Sequence, residues 1–416
     1  MWIPGDIRAI STGADLVNTR DTILALEEEL VDAQLKEELK ALRAWIAPVQ
    51  RLPFEILSPI FEMCGEMHWK APISIAGVCR FWRNVVQNTP GAWVSTQVTN
   101  LKNLELLTVY LARNRQSLLH VTLQQTFLIS ELVPYVHGIQ CIQVPNLPRP
   151  MGDICFPHLK SLRITGQYSS IGMDQVTTDH FPALRHLEIA GSLGDRLEVL
   201  TFSLPRISTL TIAHRWLGTP LLLRSLRETL LSLEIFFMRD RYSLDSHPIH
   251  LPRLKCLKVH RYAPMETMPF KIVAPALVTY IQWSSFKTSD ALIHKDVGTV
   301  THLRYANFRC LTVFPEVRVL QLYIPTHEVA VALKAIHDGH RFPSLTTIEF
   351  KFGRGHKVQK CLPMVEEWVK QYRSTLNILL TTDNWRIDLP GTIETWAPKP
   401  YYEGTFITPP PNYSRE

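Results

Sequence analysis

One hydrophobic pattern recurs along most of this chain and restricts its fold more than any other feature. It reads apolar, two residues, apolar, one residue, apolar. It appears as Leu118/Val121/Leu123, Ile139/Ile142/Val144, Leu159/Leu162/Ile164, Leu184/Leu187/Ile189, Ile207/Leu210/Ile212, Leu230/Leu233/Ile235, Leu254/Leu257/Val259, Val317/Leu320/Leu322 and Leu345/Ile348/Phe350, with weaker copies from Leu277 and Val300. Successive starts lie 17 to 28 residues apart, mostly 23 to 25. A unit this short offers one strand with alternating inward residues and cannot enclose them alone, so the copies must stack on one another. The expectation is an α/β solenoid over residues 98–389, with parallel strands along one side of a curved array and outer helices or turns.

Many copies open on a proline two residues ahead of the first apolar position, as in Phe156-Pro157-His158-Leu159 and Leu251-Pro252-Arg253-Leu254. The spacing is that of leucine-rich repeats, and the chain resembles the irregular ones, because Gln167, Ser192 and Arg215 stand where a regular repeat carries asparagine. If the strands run as drawn, the residue between the last two apolar positions faces outward: Arg163, Glu188, Thr211, Glu234, Lys258, Arg304, Gln321 and Glu349. His260, Tyr323 and Lys351 extend this row. A mixed-charge face suits a protein target, although each residue taken singly reads equally as ordinary solvated sheet surface.

Ahead of the repeats, residues 1–47 carry an amphipathic helix with Ile23, Leu26, Leu30, Leu35, Leu39, Leu42 and Ile46 at spacings of three to five. Packing on its own domain and pairing in a coiled coil both fit it. Pro48 and Pro53 end it. A new helix is expected from Pro53 to Cys64, then a loop from Gly65 to Ala71. A second helical run follows, in which Ile75, Val78, Cys79, Trp82, Val85 and Val86 share one face.

This stretch holds more large apolar side chains than about forty residues can bury, so some are expected to serve a partner. It resembles the F-box, a small three-helix module. The matching residues are Leu52-Pro53-x-Glu55-Ile56-Leu57 with Ile60-Phe61, then Val78-Cys79-Arg80-x-Trp82-Arg83, then Pro90-Gly91-Ala92-Trp93. The resemblance covers residues 48–97. It implies docking on a Skp-type adaptor and, through it, a cullin ubiquitin ligase. Carried over by position, Leu52, Pro53, Ile56, Leu57, Ile60, Val78, Cys79, Trp82 and Trp93 would form or support the docking surface. Two positions depart from the family pattern: Gly77 within a helix and Ala92, where a larger apolar residue is usual.

Composition narrows the remaining classes. At 416 residues, 46% hydrophobic and 20% charged, the chain reads as a soluble folded protein, and no apolar run approaches a membrane span. The N-terminus shows no basic-then-apolar signal. Seven scattered cysteines without a C-x-x-C pair point to buried thiols in the cytosol or nucleus, with no metal. The net charge of +6 is spread without a dense Lys/Arg block, so nucleic acid is not an expected partner. No phosphate loop, G-x-S-x-G elbow or H-E-x-x-H occurs, and His247/His250, His337/His340 and Gly353-Arg354-Gly355-His356 read as surface and turn residues.

From Leu362 to Tyr372 a last amphipathic helix is expected, and from Pro390 onward six prolines predict a disordered tail. The resulting expectation is a non-catalytic substrate receptor without cofactor. Its alternative is an interaction scaffold outside the ubiquitin system.

Overall fold

The computed structural model describes residues 18, 20–23, 52–114, 119–166, 172–190, 203–213, 219–237, 247–261, 270–284, 299–305, 314–338, 342–352, 361–372, 376–381, 386–389 and 392–394. Residues 18 and 20–23 are helical; most of the expected N-terminal helix lies outside the described residues, as does the tail beyond 394. The chain divides into two compact units, Met1–Thr122 and Leu123–Glu416. Among the described residues no helix is long and apolar enough to cross a membrane.

In the first unit, α1 (Phe54–Met67) starts on Pro53, whose carbonyl accepts from the amides of Ile56 and Leu57. Its buried residues Leu57, Phe61 and Gly65 recur every four positions and face the unit's interior. The helix therefore runs past Gly65, where a loop is expected. A Cβ at Gly65 would lie 2.3 Å from the carbonyl oxygen of Ala92, so glycine here marks close packing and not a helix stop. Ala92 itself is buried in the 3₁₀ turn Pro90–Trp93.

The second expected helix is two helices, α2 (Ala71–Val78) and α3 (Arg80–Gln87). Cys79 is extended at φ −157° and its Sγ accepts from the Trp82 amide at 3.4 Å, so it ends one helix and caps the next. Arg83 Nε donates to the Ala76 carbonyl at 2.8 Å, meeting one of the acceptors freed at the break. Phe61 packs on Trp82 with ring centroids 5.2 Å apart, and Trp93 donates its indole N–H to the Val86 carbonyl at 2.7 Å. Trp93 also meets Tyr110 of α4 (Leu104–Asn114) edge-on at 5.1 Å. Two strands, β1 (Ser95–Val98) and β2 (Leu119–Leu123), complete the unit. Trp93, Thr96 and Val98 are all buried, so the repeat pattern begins one copy earlier than the apolar residues alone reveal.

In the second unit, one short strand follows another. These are β3 (Ile139–Val144), β4 (Ser161–Ile164), β5 (His186–Ile189), β6 (Thr209–Ala213), β7 (Ser232–Phe237), β9 (Cys256–Arg261), β11 (Thr279–Ser284), β12 (His302–Tyr305), β13 (Val319–Tyr323), β14 (Thr347–Lys351) and β15 (Asn377–Thr381). Each pairs in parallel with its neighbours in this order. Two further strands, β8 (Ile249–His250) and β10 (Ile272–Val273), pair with each other in a separate ribbon. Outside the strands stand α5 (Thr219–Ser225), α6 (Val329–Asp338) and α7 (Leu362–Tyr372).

The register is uniform: Leu162, Leu187, Leu210, Leu233, Leu257, Tyr280, Leu303, Leu320, Ile348 and Ile378 lie opposite one another in one continuous row. Every member of that row is buried. The proline ahead of a copy sits in a turn closed by a hydrogen bond across four residues, Leu159 N to Phe156 O, and the same bond recurs at Leu184, Leu254, Leu277, Val317 and Leu345. The two weak copies carry Tyr280, Gln282 and Tyr305 on the inner rows. The buried Gln282 Oε1 accepts from the Tyr280 hydroxyl at 2.5 Å and from the Tyr305 hydroxyl at 3.3 Å, which makes polar residues tolerable there. At the far end β16 (Arg386–Leu389) and β17 (Thr392–Glu394) turn antiparallel. Thr392–Glu394 thus belongs to the sheet and not to a disordered tail, because β16 offers it a paired edge.

The two glycines of the helical region should respond oppositely to alanine. Gly65→Ala forces a backbone clash and should destabilise the first unit by about 1–3 kcal/mol or more. Gly77, with nothing within 4 Å of its would-be Cβ, should gain about 0.5–1 kcal/mol on Gly77→Ala. Denaturant midpoints of the two variants check both signs.

Candidate protein-interaction surfaces

The residues singled out in the helical stretch separate by burial. Leu57 and Trp93 are 1% and 4% exposed, so they hold the helices together from inside and do not line a surface. Leu52, Cys79 and Trp82 are half-buried, and Pro53 is exposed. Ile56, Ile60 and Val78 stand exposed at 47%, 42% and 57%. They are joined by Phe54, Met63, Met67, Ile73 and Phe81, which the sequence motifs do not mark. Ile56, Ile60, Met63 and Met67 follow one another at four, three and four residues, which places them on one face of α1, away from Leu57 and Phe61. The sequence does signal Met63 and Met67, since both continue that spacing, Met63 inside the expected helix and Met67 beyond its end at Cys64. The Trp82 Nε1, buried in this region, has no hydrogen-bond partner.

Isolated exposed apolar residues are ordinary, but this density on three short helices is not. Methionine adds a polarisable, adaptable contact of the kind found on protein-binding surfaces. The arrangement offers packing to a partner helix or groove, and among the described residues it brings no nucleophile and general base together.

On the sheet of the second unit, the expected outward row forms as read. Gln143, Arg163, Glu188, Thr211, Glu234, Lys258, Ile281, Arg304, Gln321, Glu349 and Leu379 lie in register across successive strands. Its charges neutralise one another locally. Arg163 Nε meets Glu188 at 3.1 Å, Glu234 receives His260 Nε2 at 2.8 Å and Lys258 at 3.9 Å, and Glu349 takes Lys351 at 3.6 Å with hydrogen bonds from Gln321 and Thr381. Glu234 is consequently buried, and Thr211 beside it is buried too, so neither offers much surface.

Two residues further along the strands, on the same face, an aromatic file runs across the sheet. Phe236 stacks on His260 at 4.2 Å, His260 lies parallel to Trp283 at 6.4 Å, and Trp283 meets Tyr323 at 5.4 Å. The Arg304 guanidinium lies 4.6 Å from the Trp283 ring centroid. Phe236 and Trp283 were legible as the residues directly after the last inward position, where His260 and Tyr323 also stand.

Other candidates bring little together. Among the described residues no group of three His, Cys, Asp or Glu is placed to hold a metal ion. His340 and residues 353–356 lie outside the described residues. Cys64, Cys79 and Cys141 are half-buried thiols, while Cys155 is exposed. A cavity of about 240 Å³ lies among Ile336, His337, Phe342, Leu345, Trp368 and Leu376. A comparison with protein-family models finds no match to this chain, and a comparison with curated proteins finds none either.

Burial raises the Glu188 carboxyl above its ordinary pKa; the Arg163 charge opposes this and the Glu234 charge adds to it. An acid with a raised folded pKa binds more protons folded than unfolded, so its contribution is full below the ordinary value and lost as pH rises through the raised one. Wild type should therefore lose stability relative to Glu188→Gln as pH climbs through the carboxylate range. Denaturant midpoints of both proteins from about pH 4 to about pH 7 read this directly; a constant difference contradicts it.

Proposed function

We propose that the chain is a substrate receptor of a Skp-cullin-F-box ubiquitin ligase: its helical unit is an F-box and its sheet unit an irregular leucine-rich-repeat array that binds a protein target. The observation that carries the reading is the exposed apolar face at Ile56, Ile60, Met63, Met67, Val78 and Phe81, set on helices whose sequence has the F-box order of Leu-Pro, Val-Cys-Arg-x-Trp-Arg and Pro-Gly-x-Trp. A monomer gains nothing from leaving those side chains in water, whereas a docking partner would cover them. The parallel strands stacked at a period of mostly 23 to 25 residues support the repeat assignment.

In this reading the protein performs no bond chemistry. It raises the effective concentration of a target beside a ubiquitin-charged enzyme by holding both on one scaffold. The helical unit supplies the fixed attachment and the sheet unit the selection.

The test uses surface positions that do not hold the fold. The full chain should retain a purified Skp-type adaptor on affinity resin, and Ile60→Asp/Val78→Asp should weaken retention tenfold or more with an unchanged thermal melt. Failure of the folded wild type to retain the adaptor would leave the scaffold role outside ubiquitination as the better reading.

A further inference from the structure

Basic residues that recur in successive repeats are brought into a band at one edge of the sheet: Lys160, Arg185 and Lys255 share one register row, with Ser208 and Leu231 between them, while Arg206 and Arg253 stand two residues ahead of that row and Arg227 four. The five-residue segments leading into β4, β5, β6, β7 and β9 are Phe156-Pro157-His158-Leu159-Lys160, Phe181-Pro182-Ala183-Leu184-Arg185, Leu204-Pro205-Arg206-Ile207-Ser208, Arg227-Glu228-Thr229-Leu230-Leu231 and Leu251-Pro252-Arg253-Leu254-Lys255. Every one carries Lys or Arg, and Glu228 is the acidic residue among them. Backbone bonds fix the segments side by side: Arg185 N to Lys160 O at 3.0 Å, Ser208 N to Arg185 O, Leu231 N to Ser208 O and Lys255 N to Leu231 O, each at 2.8 Å.

Lys160, Arg185, Arg206, Arg227, Arg253 and Lys255 are all exposed. Among the described residues the acidic partner in this band is Glu228, held by Arg227 Nε at 3.1 Å. Arg185 and Arg253 spend one guanidinium nitrogen each on main-chain carbonyls of Leu184 and Glu228, which holds their heads in place without neutralising them. The sheet face next to the band behaves differently, since Arg163, Lys258 and His260 are matched there by Glu188 and Glu234. The edge thus keeps its positive charge while the face cancels its own. The neighbouring His186 fits this field: burial first, and then the Arg185 charge, hold its pKa below the ordinary value.

We infer that this edge, from Lys160 to Lys255, binds an extended acidic polypeptide segment. Five strands at ~4.8 Å spacing give a band ~19 Å long, the reach of about six residues of extended chain. That length suits one extended peptide better than a membrane plane, which needs a broad cationic surface. Phe156 and Phe181 in these segments are buried and stacked on each other at 5.7 Å, and Phe236, His260, Trp283 and Tyr323 stack among themselves at the far end of the strands, so no phenylalanine, tyrosine or tryptophan ring stands exposed among the basic residues to receive bases. Asp153 and Asp179 sit upstream of the first two turns and set the limit of the band on that side.

As the target site of an adaptor-bound receptor, this edge rests on the function proposed above; as a peptide site it is measured without adaptor, so the two ideas fail separately. The experiment titrates the purified full chain into a fluorescent Asp/Glu-rich peptide, its Asn/Gln counterpart, and a single-stranded DNA oligonucleotide of equal length, following anisotropy at low and physiological salt. The acidic peptide should bind, weaken as salt rises, and lose affinity about tenfold or more with Lys160→Glu/Lys255→Glu. Lys334→Glu/Lys370→Glu, the same charge change placed on α6 and α7, should leave binding within about twofold, and so should Lys334→Glu alone. If the double reversal does not fold, Lys160→Gln/Lys255→Gln takes its place, with a smaller loss in the same direction. No binding of the acidic peptide, equal binding of its amide counterpart, equal loss in Lys334→Glu/Lys370→Glu, or tighter binding of the oligonucleotide each overturns the inference.

Discussion

No strand of the second unit can bury its own apolar residues, and the rest of the structure follows from that. Leu187 and Ile189 are enclosed only because Leu162/Ile164 and Leu210/Ile212 lie on either side of them in register. A slip of one residue would turn each inward leucine toward solvent and each outward charge into the core, and a penalty repeated over many strands fixes the register firmly. Position on the face is therefore an inherited property: once the apolar row is set, every other residue of the repeat is aligned with its counterparts. The Arg163–Glu188 pair and the Phe236–His260–Trp283 file are two rows of one register, and the basic edge is formed by the segments that the same stacking sets side by side ahead of the strands.

Much of this was legible beforehand because both kinds of periodicity were strong. Leu-x-x-Leu-x-Ile reads as strand by its alternation, and Phe-Pro-x-Leu reads as the turn before it because proline presets the bend. The outward row could be named residue by residue from those positions alone. The misses have equally local causes. Thr96 is polar at a buried inner position, which hid the copy formed by Trp93, Thr96 and Val98. Tyr280, Gln282 and Tyr305 satisfy one another's polar atoms inside, so their copies looked weak although their geometry is regular.

In the helical unit the sequence misled in two places. Val78, Cys79, Trp82 and Val85 keep helical spacing across a break that only the extended backbone of Cys79 exposes. Gly65 looked like a helix end because glycine so often is one, yet its role is to let α1 approach Ala92. The structure places Leu57 and Trp93 inside, where they support the helices, and Met63, Met67 and Phe81 at the surface. A scan for basic runs cannot see residues that recur once per repeat, while stacking sets them one strand apart.

Stacking in register is the central claim, and amide hydrogen exchange tests it most directly. The amides of Arg185, Ser208, Leu231 and Lys255 sit in what would otherwise be exposed turns, and each is donated to the preceding segment's carbonyl. They should exchange slowly, with protection comparable to that of the strand interiors and lost together on unfolding. Exchange at the rate of open loops, with the strand interiors still protected, would contradict the register and with it every row built on it.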